Sequence, residues 1–94
     1  MNNYSHFLLA SHVIYILPAE SITVWQLGLL LYNLLVGHIP FPSLEAVAAG
    51  RQPDWAALSL AASPSASNLV QSCLAAQPSI RLHLAAIPLH PWLG

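Results

Sequence analysis

Between Val24 and Phe41 the chain reads VWQLGLLLYNLLVGHIPF, eighteen residues without a charge. A segment this apolar either crosses a membrane or is buried as a helix by other chain. Ile22, Val24, Trp25, Leu27, Leu29, Leu30, Leu31, Leu34 and Leu35 surround the axis of a helix instead of forming one stripe, and a helix apolar all round belongs at the centre of a protein or in lipid. Its helical part spans about Ser21 to Val36, with Ser21 as N-cap and Gly37 just past its end. That falls short of the roughly 20 apolar residues of a membrane span, and Gln26 and Asn33 would sit in hydrocarbon. A buried core helix is the better reading. A membrane hairpin of Phe7–Leu17 and Ile22–Val36 around Pro18 is weaker, because no Lys or Arg flanks either segment to set its orientation.

Composition sharpens the question of what covers this helix. Of 94 residues, 56% are hydrophobic and 5% charged, where about a quarter is usual for the charged share. Glu20, Glu45, Asp54, Arg51 and Arg81 cannot clothe a small monomer, and a chain this short buries a small share of its surface. A partner, a lipid phase or further chain is expected to cover part of it. Two basic residues exclude a phosphate-tracking surface, so no nucleic acid is expected. One cysteine, Cys73, excludes an internal disulfide framework and fits a reducing compartment, with the cytoplasm expected. The wealth of Leu, Val and aromatics argues against disorder.

The rest of the chain divides at its prolines and glycines. Phe7–Leu17 is a short apolar run ended by Pro18. It resembles the core of a signal peptide, but the preceding MNNYSH lacks the basic residues of that pattern. Ser43 to Gly50 reads as a short helix with Ser43 as cap and Gly50 as stop. Arg51 to Ala62 reads as mostly loop, with a turn near Trp55–Leu58. Ser63 caps a firm helix with Pro64 in its first position, running to about Ala76 with Leu69, Val70, Cys73 and Leu74 on one face. A last short helix is expected over His83 to Ile87, ahead of the terminal HPWLG. The fold class is all-α, with no sheet.

Few of these residues invite chemistry. The histidines His6, His12, His38, His83 and His90 form no i,i+4 pair and no knuckle spacing, so no metal site is expected. Cys73 lies on an apolar helix face and reads as a core thiol. No G-x-S-x-G turn exposes a serine. Trp25, Trp55 and Trp92 read as core, since an aromatic binding platform would want basic neighbours.

The landmarks nevertheless fall in a familiar order. TVWQLGLLLYNLLVGHIPF resembles the protein-kinase pattern D-x-W-S-x-G, a Leu-rich helix and a G-x-x-P-F turn, with Trp25, Gly28, Leu31, Tyr32, Gly37, Pro40 and Phe41 in place. SPSASNLVQSCLAAQPSIRL resembles the kinase segment S-x-x-A-x-x-L-[IV]…L-x-x-[DR]-P-x-x-R through Ser63, Ala66, Leu69, Val70, Leu74, Pro78 and Arg81. His90-Pro91-Trp92 is similar to the end of a kinase domain. The resemblance implies a partial serine/threonine-kinase C-lobe, helices F to I, over residues 21–94, with residues 1–20 as a degenerate end of the activation segment. Its flavour is that of the calcium/calmodulin-dependent group, calcium-dependent or PIM-like, which Gly50 to Trp92 resembles without a gap. Leu8–Ile14 lands where that family has Y-V-A-P-E-V-L, and only Ala10 keeps the motif. Ser5–Leu9 would be a relic of the substrate-binding loop.

The departures matter as much as the matches. Kinase chemistry needs a Gly-rich loop, a strand Lys, H-R-D and D-F-G, and none is present in the sequence. No catalytic, cofactor-binding or metal residue is therefore assigned; ATP and Mg are expected only for a full-length parent. Thr23 stands where the family has an anchoring Asp, and Asn33 and His38 replace acids that hold basic substrates. The resemblance pairs Arg81 with a Glu whose counterpart here is His12, so Arg81 should be solvated or held by other groups. Trp25, Gly28, Arg81 and Trp92 are the implied structural scaffold. A fragment or degenerate pseudokinase-like remnant, inactive alone, is the leading expectation. A non-enzymatic helical protein docking on a kinase lobe or another partner over helix F is the second, and the membrane hairpin the third.

Overall fold

The framework of the chain is one long helix, α1, over Asn3–Val36, against which most of the later elements are laid. In the computed structural model the backbone is described from Asn3 to Gly94 and side chains from Ala19 onward. The readings placed on Phe7–Leu17, Ser5–Leu9, Leu8–Ile14, His6 and His12 lie outside the residues whose side chains are described.

The break predicted at Pro18 and the N-cap at Ser21 are not found: α1 runs through both and crosses the boundary drawn between residues 20 and 21. Proline removes one N–H and crowds the turn before it, but its own φ is helical. Ser21 is also occupied elsewhere, as described below. Gly37, at φ +96°, ends α1 while its N–H still donates to the Asn33 carbonyl at 2.9 Å. A left-handed glycine is the common close of a helix, because it carries no Cβ to clash.

Short elements follow, most of them set by local chemistry. Ser43 accepts from the Ala46 N–H at 3.1 Å and opens α2, Leu44–Ala48, which Gly50 closes at φ +78°. Asp54 accepts from the Ala57 N–H at 2.9 Å and opens α3, Trp55–Ala61. This helix replaces the loop expected there. Ser63 accepts from the Ala66 N–H at 3.2 Å and opens α4, Pro64–Cys73, with Pro64 in the first turn as expected. α4 stops three residues short of Ala76. Two 3-10 helices, Pro78–Ile80 and Leu84–Leu89, complete the chain. The α-helix expected at His83–Ile87 is thus a 3-10 helix with Pro88 inside it, since a proline cannot donate to an α-helical ladder. Among the described residues there is no strand.

Two apolar clusters hold these elements to α1. Tyr32, Leu58, Val70 and Leu74 are buried together on one side, with Leu29, Leu35 and Trp55 packed around them. Val24, Leu69 and Cys73 form the other, closed by Leu82, Leu84 and Ile87. On α1 the buried row is Val24, Gly28, Tyr32, one residue every turn. Gly28 sits at the closest approach: a Cβ there would lie 2.8 Å from Cys73 Cβ and from Leu74. The row Ile22, Gln26, Leu30, Leu34 is displaced by two residues, half a turn, and is exposed. The helix is apolar all round, and the described chain covers one side of it.

Candidate functional site

Among the described residues, Arg81 is the most constrained polar side chain. It follows the first 3-10 helix and is 9% exposed. Its Nε donates to the Ala75 carbonyl at 2.9 Å and its Nη2 to the Ala76 carbonyl at 3.1 Å. Its Nη1 reaches across to α1, donating to the Ser21 carbonyl at 3.1 Å and to Ser21 Oγ at 3.0 Å. The guanidinium carbon stands 5.0 Å from the centre of the Trp25 ring, a cation–π distance. Every hydrogen-bond partner is neutral; among the described residues no carboxylate accepts from it. Burial lowers its affinity for the proton below the ordinary arginine range, because a charge is disfavoured away from water.

Trp25 stacks on Phe41, with ring centroids 5.4 Å apart and planes inclined by 15°. The pair divides two adjoining clefts. One, about 290 Å³, is bordered by Ile22, Trp25, Arg51, Pro53, Leu74 and Arg81. The other, about 360 Å³, is bordered by Leu29, Ile39, Pro40 and Leu44, and shares Trp25, Phe41 and Val47 with the first.

Of the residues singled out from the sequence, Trp25 and Arg81 are brought together, and Gly28 lies one turn on against α4. Trp92 lies apart in the terminal turn, 36% exposed, where 91–94 are all open to solvent, so the core position read for it is corrected. Trp25 and Trp55 are half-buried. His90 is buried: the Trp92 N–H donates to its Nδ1 at 3.1 Å, which leaves Nε2 to donate to Asn68 Oδ1 at 2.7 Å. Thr23 Oγ1 donates to the Ala19 carbonyl on its own helix at 3.1 Å and, among the described residues, anchors no other element. Asn33 and His38 are exposed, and the His38 and Tyr32 rings meet in an edge-type arrangement, 5.8 Å between centroids.

The remaining chemistry is sparse. Burial pushes the Cys73 thiol up to about 11, so it stays protonated and unreactive at neutral pH. Among the described residues no three of His, Cys, Asp and Glu gather as metal ligands. Asp54 is spent as a helix cap. These residues do not fit a nucleotide–Mg site, which needs carboxylates and a lysine converging on phosphates. Sequence reasoning missed Ser21 as the partner of Arg81, and Arg51 and Phe41 as its neighbours across the cleft. With only two cations in the chain, their meeting at one place was the signal available.

A long apolar helix, a capped short helix after the Gly-His-Ile-Pro-Phe turn, α4 and a terminal His-Pro-Trp turn make an all-α, partial protein-kinase C-lobe. In the kinase lettering α1 carries helix F, α2 is G, α4 is H and the second 3-10 helix takes the place of I. Similar proteins are Tribbles homolog 3 of Homo sapiens, 40% identical over 72 residues, which are 74% of this chain and 20% of the relative. Tribbles homolog 1 of Mus musculus is 39% identical over 71 residues, 73% of this chain and 19% of the relative. Serine/threonine-protein kinase prk-2 of Caenorhabditis elegans is 34% identical over 70 residues, 74% and 16%. The chain spans about a fifth of the length of these relatives. The likeness is to kinases and Tribbles pseudokinases in general and does not single out a calcium-dependent or PIM-like subgroup. No family model and no solved structure matches the chain significantly.

Proposed function

We propose that this chain is a catalytically silent, pseudokinase-like helical lobe that acts by binding protein. One observation carries the reading: the kinase-like scaffold is built without the groups that move a phosphoryl group. The chain contains no lysine, and its three carboxylates are Glu20, Glu45 and the helix-capping Asp54. Phosphoryl transfer works by positioning and charge neutralisation, and neither the lysine nor a converging set of carboxylates for Mg²⁺ is present among the described residues to hold a triphosphate. ATP-dependent phosphorylation of Ser or Thr, with ATP and Mg, belongs to a longer parent carrying a complete site. Kinship with the calcium-dependent or PIM-like kinases rests on the motif pattern of Gly50 to Trp92 alone. The free thiol of Cys73 agrees with the cytoplasm.

Purified chain with radiolabelled ATP, Mg²⁺ and a mixed Ser/Thr peptide pool is expected to transfer no label, and its melting temperature to be indifferent to ATP. Label transfer that survives repurification overturns the reading. A membrane role is favoured by one observation, that Ala19–Val36 is long and apolar enough to cross a bilayer. Against it stands the Val24–Gly28–Tyr32 row, already packed on α4. The chain should therefore remain at the bottom of a flotation gradient with neutral lipid vesicles; flotation decides for the membrane.

A further inference from the structure

Both cations of the chain, Arg51 and Arg81, border the same 290 Å³ cleft, and none of its three carboxylates does. A molecule of net charge −1 has thus gathered all its positive side-chain charge in one concavity. We propose that this cleft binds an acidic segment of a partner protein, one Asp or Glu beside a bulky apolar residue, with the carboxylate against Arg81 and Arg51 and the apolar side chain in the adjoining cleft.

Three features support this occupant. Arg81 is positioned but not neutralised: four hydrogen bonds to neutral groups hold it, and with five N–H donors on a guanidinium its Nη2 keeps one to offer. A partly buried cation fixed by dipoles is a preorganised receptor, because a charge-assisted bond forms there without further ordering of the side chain. Arg51, by contrast, is exposed and follows Gly50, so it is free to close over a bound carboxylate. The second cleft begins at the shared Trp25–Phe41 wall and is apolar; Ile39 and Leu44 at its rim are 60% and 84% exposed. A ligand that is acidic at one end and greasy at the next residue matches both halves.

The proposal rests on the reading of the chain as a binding unit, and its test is separate from the transfer assay. A fluorescein-labelled peptide with a central Leu-Glu-Phe is titrated with the full chain by anisotropy, beside the same peptide with Gln for Glu. The Glu peptide is expected to bind about tenfold more tightly, the worth of one charge-assisted bond, and the advantage should shrink in high salt. Arg51→Gln, at an exposed position, should remove about half of the advantage on a logarithmic scale. Arg81→Lys, checked for retained helix by circular dichroism, should remove most of it, because an ammonium cannot reproduce the fork. Equal binding of the two peptides, or an advantage unchanged in Arg51→Gln and Arg81→Lys, overturns the proposal. So does sedimentation showing a dimer that Arg51→Gln and Arg81→Lys weaken and the Glu peptide fails to dissociate, which would give the cleft to a second copy of the chain.

Discussion

At Cys73 and Gly28 two residues meet at the centre of the α1–α4 crossing, and each makes a measurable demand. The Cys73 thiol is fully buried and its pKa is raised from 9 to about 11. A group whose folded pKa is raised leaves stability intact below its unfolded pKa and takes it away as pH rises toward the folded value. Unfolding free energy should therefore fall between pH 9 and 11, by about 2–3 kcal/mol in all at ~1.4 kcal/mol per pH unit. Tyr32, also raised by burial and by Asp54, adds to the loss above its ordinary value of 10. Urea titrations at a series of pH values should show a shallower slope for Cys73→Ala; an unchanged slope would mean that the thiol ionises in place. Gly28→Ala puts a methyl 2.8 Å from Cys73 Cβ and Leu74, and should cost about 1–3 kcal/mol as overpacking. Neither demand was visible in the sequence as a contact. Gly28 was legible only through the kinase pattern, because nothing local distinguishes a packing glycine from a weak one.

The helices themselves were legible to unequal degrees, and the reason is how local their determinants are. α2 and α4 announce themselves by Ser43, Ser63 and Pro64, since a cap is chemistry within four residues. α3 was missed because its Ala, Ser and Leu residues carry no clear periodicity; only Asp54 marked its start. Its fixing is tertiary: Tyr32 Oη, on α1, donates to the Asp54 carbonyl at 2.9 Å, while Asp54 Oδ1 accepts from Ala57 N–H. The Tyr32 ring also meets Trp55 edge-on at 6.4 Å. One residue thus joins helix to helix and caps the second. Tyr32→Phe should cost about 1–2 kcal/mol by leaving that carbonyl unpaired, and Asp54→Ala about 1 kcal/mol by removing the cap. Because both act through residue 54, their effects should not add. A double-mutant cycle by urea denaturation that closes with no coupling would show α3 to be held by Leu58 and Trp55 alone. The Arg81–Ser21 junction was illegible for the opposite reason. It links positions 60 apart in the chain, and resemblance could nominate Arg81 without saying what would hold it.

For the molecule as a whole, the unbalanced helix decides the behaviour. The sequence already required that something cover an all-apolar α1, and α3, α4 and the terminal 3-10 helix meet half of that requirement. Ile22, Leu30 and Leu34 remain on the open row, Leu34 71% exposed. Scattered surface leucines need no explanation, but a row of them along one helix marks an interface or a route to aggregation. Ile22 borders the first cleft as well as the row, but Leu30 and Leu34 border neither cleft, so association through those two leucines and peptide binding are separable. Replacing Leu30 and Leu34 together by Gln should leave the folded state within about 0.5 kcal/mol, the usual effect of surface changes, because neither side chain belongs to either core cluster. It should at the same time lower light scattering at high protein concentration. A stability loss of several kcal/mol instead would mean that the row is buried in the working molecule, in an oligomer or under further chain, since only a buried leucine can be missed to that extent. Unchanged scattering with unchanged stability would place the sticky surface at other exposed leucines, among them Leu44, Leu60 and Leu89.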